Sequence, residues 1–61
     1  MAHPDTLAIS ITDFCRSIGI SRRSLYTLLD RGEGPPTIRI GRRRLIRREA
    51  ADAWLRTLEV T

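Results

Sequence analysis

The tripeptide Gly19-Ile20-Ser21 constrains this chain more than any other feature. It separates two short segments with helical spacing, and each segment opens with its own capping signal. Ser10 stands before the first, with Asp13 three residues on, an aspartate variant of the Ser-x-x-Glu capping box. Ile9 and Phe14 flank that cap at hydrophobic-staple spacing. Ile11, Phe14, Cys15 and Ile18 recur at three- and four-residue steps, which is helical. Gly19 then stops the helix, because glycine enters the left-handed cap conformation without penalty. These signals predict a helix over about Ile11 to Ile18. Ser21 opens the second segment, where Ile20 and Leu25 repeat the staple spacing and Leu25, Leu28 and Leu29 form an apolar stripe. Gly32 ends it, so a second helix is predicted from about Arg22 to Arg31.

Two short helices joined by so few residues form a helix-turn-helix pattern, in which turns of three or four residues often contain glycine. The second would be the recognition helix. Gly34-Pro35-Pro36 cannot continue a helix, since proline drives the preceding residue toward extended geometry. Thr37 to Ile40 reads as a strand with Ile38 and Ile40 on one face and Arg39 on the other. Gly41-Arg42 suits a two-residue hairpin turn, and Arg43 to Ile46 is the return strand. Leu45 and Ile46 are adjacent and cannot both face a core from a regular strand, so one is expected at the strand-to-helix junction. A last helix is predicted from about Arg48 to Leu58, with Ala51, Trp54, Leu55 and Leu58 as its apolar stripe, although Arg47 is a poor cap. Met1 to Thr6 reads as a polar lead-in and Leu7 to Ile9 as a short extended piece. The expected fold is therefore small α+β: a winged helix-turn-helix of three short helices, with a two-stranded β-hairpin wing between helix 2 and helix 3. It is expected as a single domain over 1–61 with its ordered core at about 7–58.

Length limits what such a fold can do. A chain of 61 residues hides only about 60% of the surface that its unfolded form exposes, so its work is expected on the outer surface. No nucleophile paired with a base, no carboxylate pair on one face and no phosphate-cradling glycine loop is present, so an enzyme is not expected. Cys15 is the only cysteine. It permits no intramolecular disulfide, and with His3 it cannot supply the four ligands of a structural zinc site. Cys15 and Trp54 are expected in the core, and His3 in a tail. No cofactor, metal, small-molecule substrate or membrane partner is expected, and a reducing, cytoplasmic, nucleoid-associated setting fits best.

Charge points to the partner. The net charge is +4, and all eleven basic residues are arginine. Residues 1–21 carry −1, residues 49–61 carry −2, and residues 22–48 carry +7, from nine arginines against Asp30 and Glu33. A run such as Arg42-Arg43-Arg44 is by itself often only a solvated face. Clustered on a recognition helix and a hairpin, arginine is the electrostatic footprint of a nucleic-acid binder.

Ile18-Gly19-Ile20-Ser21-Arg22-Arg23-Ser24-Leu25-Tyr26 resembles the LGVSRSTVYRL stretch of the excisionase and AlpA-like helix-turn-helix family. The segment from Gly34 to Arg43 resembles that family's link into its wing, and Glu49 to Leu55, ending Ala53-Trp54-Leu55, resembles its closing helix. The similarity runs from about Leu7 to Leu58 and rests on the order and spacing of the pieces together. Arg47 stands where many relatives have proline. Ala50 and Ala51 stand where relatives often have an acidic residue and leucine, which thins the core under Trp54.

The resemblance implies a MerR-like winged fold that binds double-stranded DNA. It implies a small transcriptional regulator of a mobile element or prophage, or an excisionase (recombination directionality factor) that bends DNA for an integrase. A phage DNA-packaging or protein-interaction adaptor is the alternative. Partners would be DNA, an integrase, or further copies binding cooperatively. Ser21, Arg22, Arg23, Ser24 and Thr27 would face the major groove, where an arginine can contact guanine with two hydrogen bonds. Ser21 has a rival role as N-cap. Tyr26 either reaches a phosphate with its hydroxyl or packs against the wing. Arg42 and Arg43 would approach the minor groove, and Arg39, Arg44 and Arg47 would meet phosphates. Arg48 is placed four residues before Asp52, at ion-pair spacing.

Overall fold

The computed structural model describes residues 7–60. The lead-in expected at Met1 to Thr6, with His3, lies outside them. The elements run β1 (Ala8–Ser10), α1 (Ile11–Ile18), α2 (Arg22–Asp30), β2 (Ile38–Ile40), β3 (Arg43–Arg47) and α3 (Arg48–Thr57).

The caps behave as their chemistry requires. Ser10 Oγ accepts from the Asp13 N–H at 3.1 Å, and Ser21 Oγ accepts from the Ser24 N–H at 3.0 Å, each satisfying a donor that its helix leaves free. Gly19 closes α1 at φ 79°, and the Gly19 and Ile20 N–H groups both donate to the Cys15 carbonyl. A side chain at that φ would crowd its own carbonyl. The second helix ends one residue earlier than expected, with Arg31 as its C-cap. The third also stops one residue short, and its N-cap Arg47 makes no side-chain capping bond.

The expected hairpin of β2 and β3 forms, but it is part of a larger sheet. Strand β3 lies in the middle of a three-stranded antiparallel sheet, ordered β1-β3-β2. The extended piece before α1 supplies the third strand, with Ile9 opposite Ile46 and Ser10 opposite Leu45. The Arg48 N–H donates to the Leu7 carbonyl at 3.0 Å and prolongs the pairing. A lone hairpin is marginal in water. Here β1 satisfies the free edge of β3 and anchors the hairpin under α1.

Leu45 and Ile46 both lie within β3, so neither is displaced to the junction with α3. The pleat separates them instead. Ile46 is fully buried, with Ile11, Phe14, Cys15, Leu25 and Ala51. Leu45 points to the opposite face beside Ile38, its cross-strand partner, and is half-buried. The hairpin turn is the expected Gly41-Arg42, closed by the pair Ile40 and Arg43. Gly41 has φ 60°, and among the described residues no non-glycine residue has positive φ. Glycine in the first central position is the signature of the II′ turn, whose twist matches that of the strands.

Trp54 is half-buried against the core, its ring tilted at 55° to Phe14 with centroids 6.0 Å apart. Arg48 does not take Asp52 as its partner. The Asp52 carboxylate pairs forward with Arg56 at 3.0 Å, one turn along the exposed face of α3.

Candidate nucleic-acid interface

The second helix presents a polar front. Ser21, Arg22, Arg23, Ser24 and Thr27 are all exposed, while Leu25 on the opposite side is fully buried. Their hydroxyls are partly engaged within the helix. Ser21 Oγ donates to Ser24 Oγ at 2.9 Å while it accepts from the Ser24 N–H, so it caps the helix. Thr27 Oγ1 donates to the Arg23 carbonyl at 3.0 Å. The guanidinium groups of Arg22 and Arg23 thus provide the long donors of this front.

Strand alternation sorts the hairpin arginines by face. Arg39 stands opposite Arg44, and both share the face of β3 that carries Ile46 and looks toward the helices. Arg43, opposite Ile40, and Arg47, opposite Ala8, lie on the outer face. Arg42 projects from the exposed turn between them. The arginines that look like one block in the sequence therefore form two sets joined at the wing tip. Arg47 is drawn into an ion pair with Glu49, both side chains being well exposed.

Tyr26 joins the helix to the wing. It is half-buried and packs on the core. Its ring has the Arg22 guanidinium carbon 5.9 Å from its centroid on one approach and the Arg44 guanidinium carbon 5.9 Å away on another. Ring faces attract such cations. Arg44 is further aimed by a hydrogen bond from its Nε to Thr37 Oγ1 at 3.1 Å. Of the sequence-predicted residues, Arg22, Tyr26 and Arg44 are brought together, and Arg43 and Arg47 are kept apart from them. Local pattern marks Thr37 only as the start of a strand, whereas it stands just before β2 and holds Arg44. Its role depends on the hairpin register, which no local pattern reveals.

Cys15 lies buried behind α2, and burial pushes its thiol pKa upward, while the Arg22 charge partly opposes the shift. A raised thiol pKa suits a packing residue better than a reactive one. Among the described residues no cluster of metal-binding side chains occurs, and no helix is long and apolar enough to cross a membrane.

Residues 9–58, from β1 to the C-cap of α3, match a family described as a helix-turn-helix domain. Comparison with curated proteins and with solved structures gave no match. Three helices with a three-stranded antiparallel sheet are consistent with the winged form of that domain. The chain belongs to the helix-turn-helix domain family, which binds double-stranded DNA.

Proposed function

We propose that the chain is a sequence-specific double-stranded DNA-binding protein of a mobile element or prophage. It acts as a small transcriptional regulator, or as an excisionase that bends DNA for an integrase, on a MerR-like winged helix-turn-helix domain. One observation carries this reading: an exposed Ser-Arg-Arg-Ser front on α2 stands beside an arginine-bearing hairpin, and Tyr26 bridges the two.

In this reading the start of α2 enters the major groove, with Arg22 or Arg23 making a paired contact to guanine worth about 1–3 kcal/mol of discrimination. Arg42 and Arg43, at the wing tip, approach the adjacent minor groove, and Arg39 and Arg44 meet phosphates. Arg47 contributes less than its neighbours, because Glu49 already neutralises it. One such small domain makes few base contacts, so repeated sites are filled cooperatively.

The test is to incubate the protein with sheared DNA of its source genome and sequence the retained fragments. Enrichment of tandem sites beside an integrase attachment site supports the excisionase form. Enrichment at a promoter supports the regulator. Retention without any sequence preference contradicts specific recognition.

A further inference from the structure

Strand β2 lies at the edge of the sheet, with β3 on one side only. The two-residue turn makes Ile40 and Arg43 a hydrogen-bonded pair, so the backbone N–H and carbonyl of Arg39 point to the open side. Among the described residues no backbone group bonds to that side. An open edge is a template for another strand. Its side chains run apolar, basic, apolar. Ile40 is 63% exposed, Ile38 is half-buried beside Leu45, and Arg39 stands exposed opposite Arg44, a like charge. The ion pairs among the described residues engage Arg47 with Glu49 and Arg56 with Asp52, so Arg39 has no acidic partner there.

The segment that follows α3 carries the complementary pattern. Leu58, Glu59 and Val60 run apolar, acidic, apolar, and all three are exposed, Leu58 at 54% and Val60 at 95%. Two backbone bonds hold the start of this segment to the helix end. The Leu58 N–H donates to the Leu55 carbonyl at 3.1 Å, and the Glu59 N–H to the Arg56 carbonyl at 3.3 Å. Helix ends of this kind fray. Laid antiparallel along β2, the segment sets Val60 beside Ile38, Glu59 beside Arg39 and Leu58 beside Ile40. The Glu59 N–H then exchanges the Arg56 carbonyl for that of Arg39. Two β2 strands paired in the same way would set Arg39 against Arg39, which is unfavourable. The edge therefore selects an acidic strand over its own kind.

We propose that residues 58–60 of one copy add as a strand to β2 of the next. Each copy offers one such segment and one such edge, so the contact is head-to-tail and builds a row of copies. The contact rests on the double-stranded DNA reading above only for its consequence, which is the cooperative filling of repeated sites. A carboxylate engages two of the five donors of Arg39, so the others still reach a phosphate.

The experiment has two arms. In the first, binding is titrated on duplexes that carry one selected site or three tandem sites. The unaltered protein gains about tenfold in affinity for each neighbour already bound, as one ion pair and two apolar cross-strand pairs would give. Glu59→Arg and Val60→Ser each remove most of that gain, and Val60→Ser leaves the single-site affinity unchanged. Arg39→Glu also removes the gain, and adding Glu59→Arg to it restores the gain although single-site binding stays weaker. The second arm needs no DNA. Copies bearing Ile40→Cys are mixed at high concentration with copies bearing Leu58→Cys under a mild oxidant, and the buried Cys15 stays out of the reaction. Cross-linked pairs form in the mixture and not from either variant alone, and circular dichroism melts show that each variant is folded. A tandem gain that survives Glu59→Arg and Val60→Ser, or a mixture that does not cross-link, overturns the contact. A disulfide that forms only within one chain bearing both cysteines seats the segment on its own edge and overturns it as well. Cross-linking by a protein that binds no duplex upholds the contact while the DNA-binding reading falls.

Discussion

The indole N–H of Trp54 donates to the backbone carbonyl of Glu33 at 2.9 Å, tying α3 to the loop that leads from α2 into the hairpin. The last helix thus fixes the path between the two elements of the interface without touching that interface. Trp54→Phe keeps the aromatic contact with Phe14 and loses the hydrogen bond. It is expected to cost about 1 kcal/mol, read as a lower urea midpoint at an unchanged slope. Unchanged stability would mean that the bond contributes nothing in water.

Gly34 is required for space rather than for its backbone angle. A Cβ there would lie 2.8 Å from Leu29 Cδ2 and 3.3 Å from the Leu29 backbone nitrogen. Gly34→Ala should destabilise the fold by about 1–3 kcal/mol, and shortening the neighbour with Leu29→Val should recover part of that loss. Gly19 presents the opposite case, with open space around its Cβ position but φ 79°. Gly19→Ala should cost about 1–2 kcal/mol, with no recovery from any neighbour. Denaturant titration of the single and double variants separates the two causes.

Ser21 caps α2 and also stands on its DNA-facing front, and one pair of substitutions divides the roles. Ser21→Ala removes the cap and should lower stability by about 0.5–2 kcal/mol. Ser21→Asp keeps a capping oxygen and adds a negative charge, so it should preserve the melting temperature while weakening duplex binding. An aspartate variant that binds as well as the unaltered protein would place this end of α2 away from the phosphates.

Cys15 is shielded by the core, and burial raises its thiol pKa above the ordinary value of 9.0. The raised value means that the folded state favours the neutral thiol. The stability gained this way is fully present below pH 9 and is lost as pH rises through the folded pKa. Thiol-reactive reagents should label Cys15 slowly at neutral pH, at a rate that follows unfolding as urea is added. Fast labelling under native conditions would contradict the burial. Arg22→Ala should raise the thiol pKa further, because its positive charge favours the thiolate.

Much of this fold is legible because its signals are local. Ser10, Gly19, Ser21 and Gly32 punctuate the helices within a few residues of where they act, and Gly41-Arg42 marks the hairpin turn in the same way. Strand β1 is harder to recognise, since three residues cannot display a period and Ile9 gains its meaning only opposite Ile46. The facing of Leu45 and Ile46 likewise depends on register. In the interface, the charged residues stand out from composition, but their grouping does not. Arg44 meets Tyr26 and Thr37, and Arg43 turns away, because of strand alternation and hairpin pairing rather than proximity in the sequence. Asp52 had arginines available at four-residue spacing in both directions, and only the packed helix shows that Arg56 is its partner.

The central claim is that α2 and the wing hold a duplex through arginine. Its most direct test is an anisotropy titration of a selected duplex and a scrambled duplex, repeated as salt rises from about 50 to 200 mM, with Arg22→Ala and Arg42→Ala alongside the unaltered protein. The account predicts tighter binding to the selected duplex and a steep linear fall of log affinity with log salt. It predicts that Arg42→Ala weakens both duplexes and flattens the slope by about one, while Arg22→Ala also narrows the preference between them. Failure to bind either duplex at low salt, or binding that ignores salt and both substitutions, would contradict it.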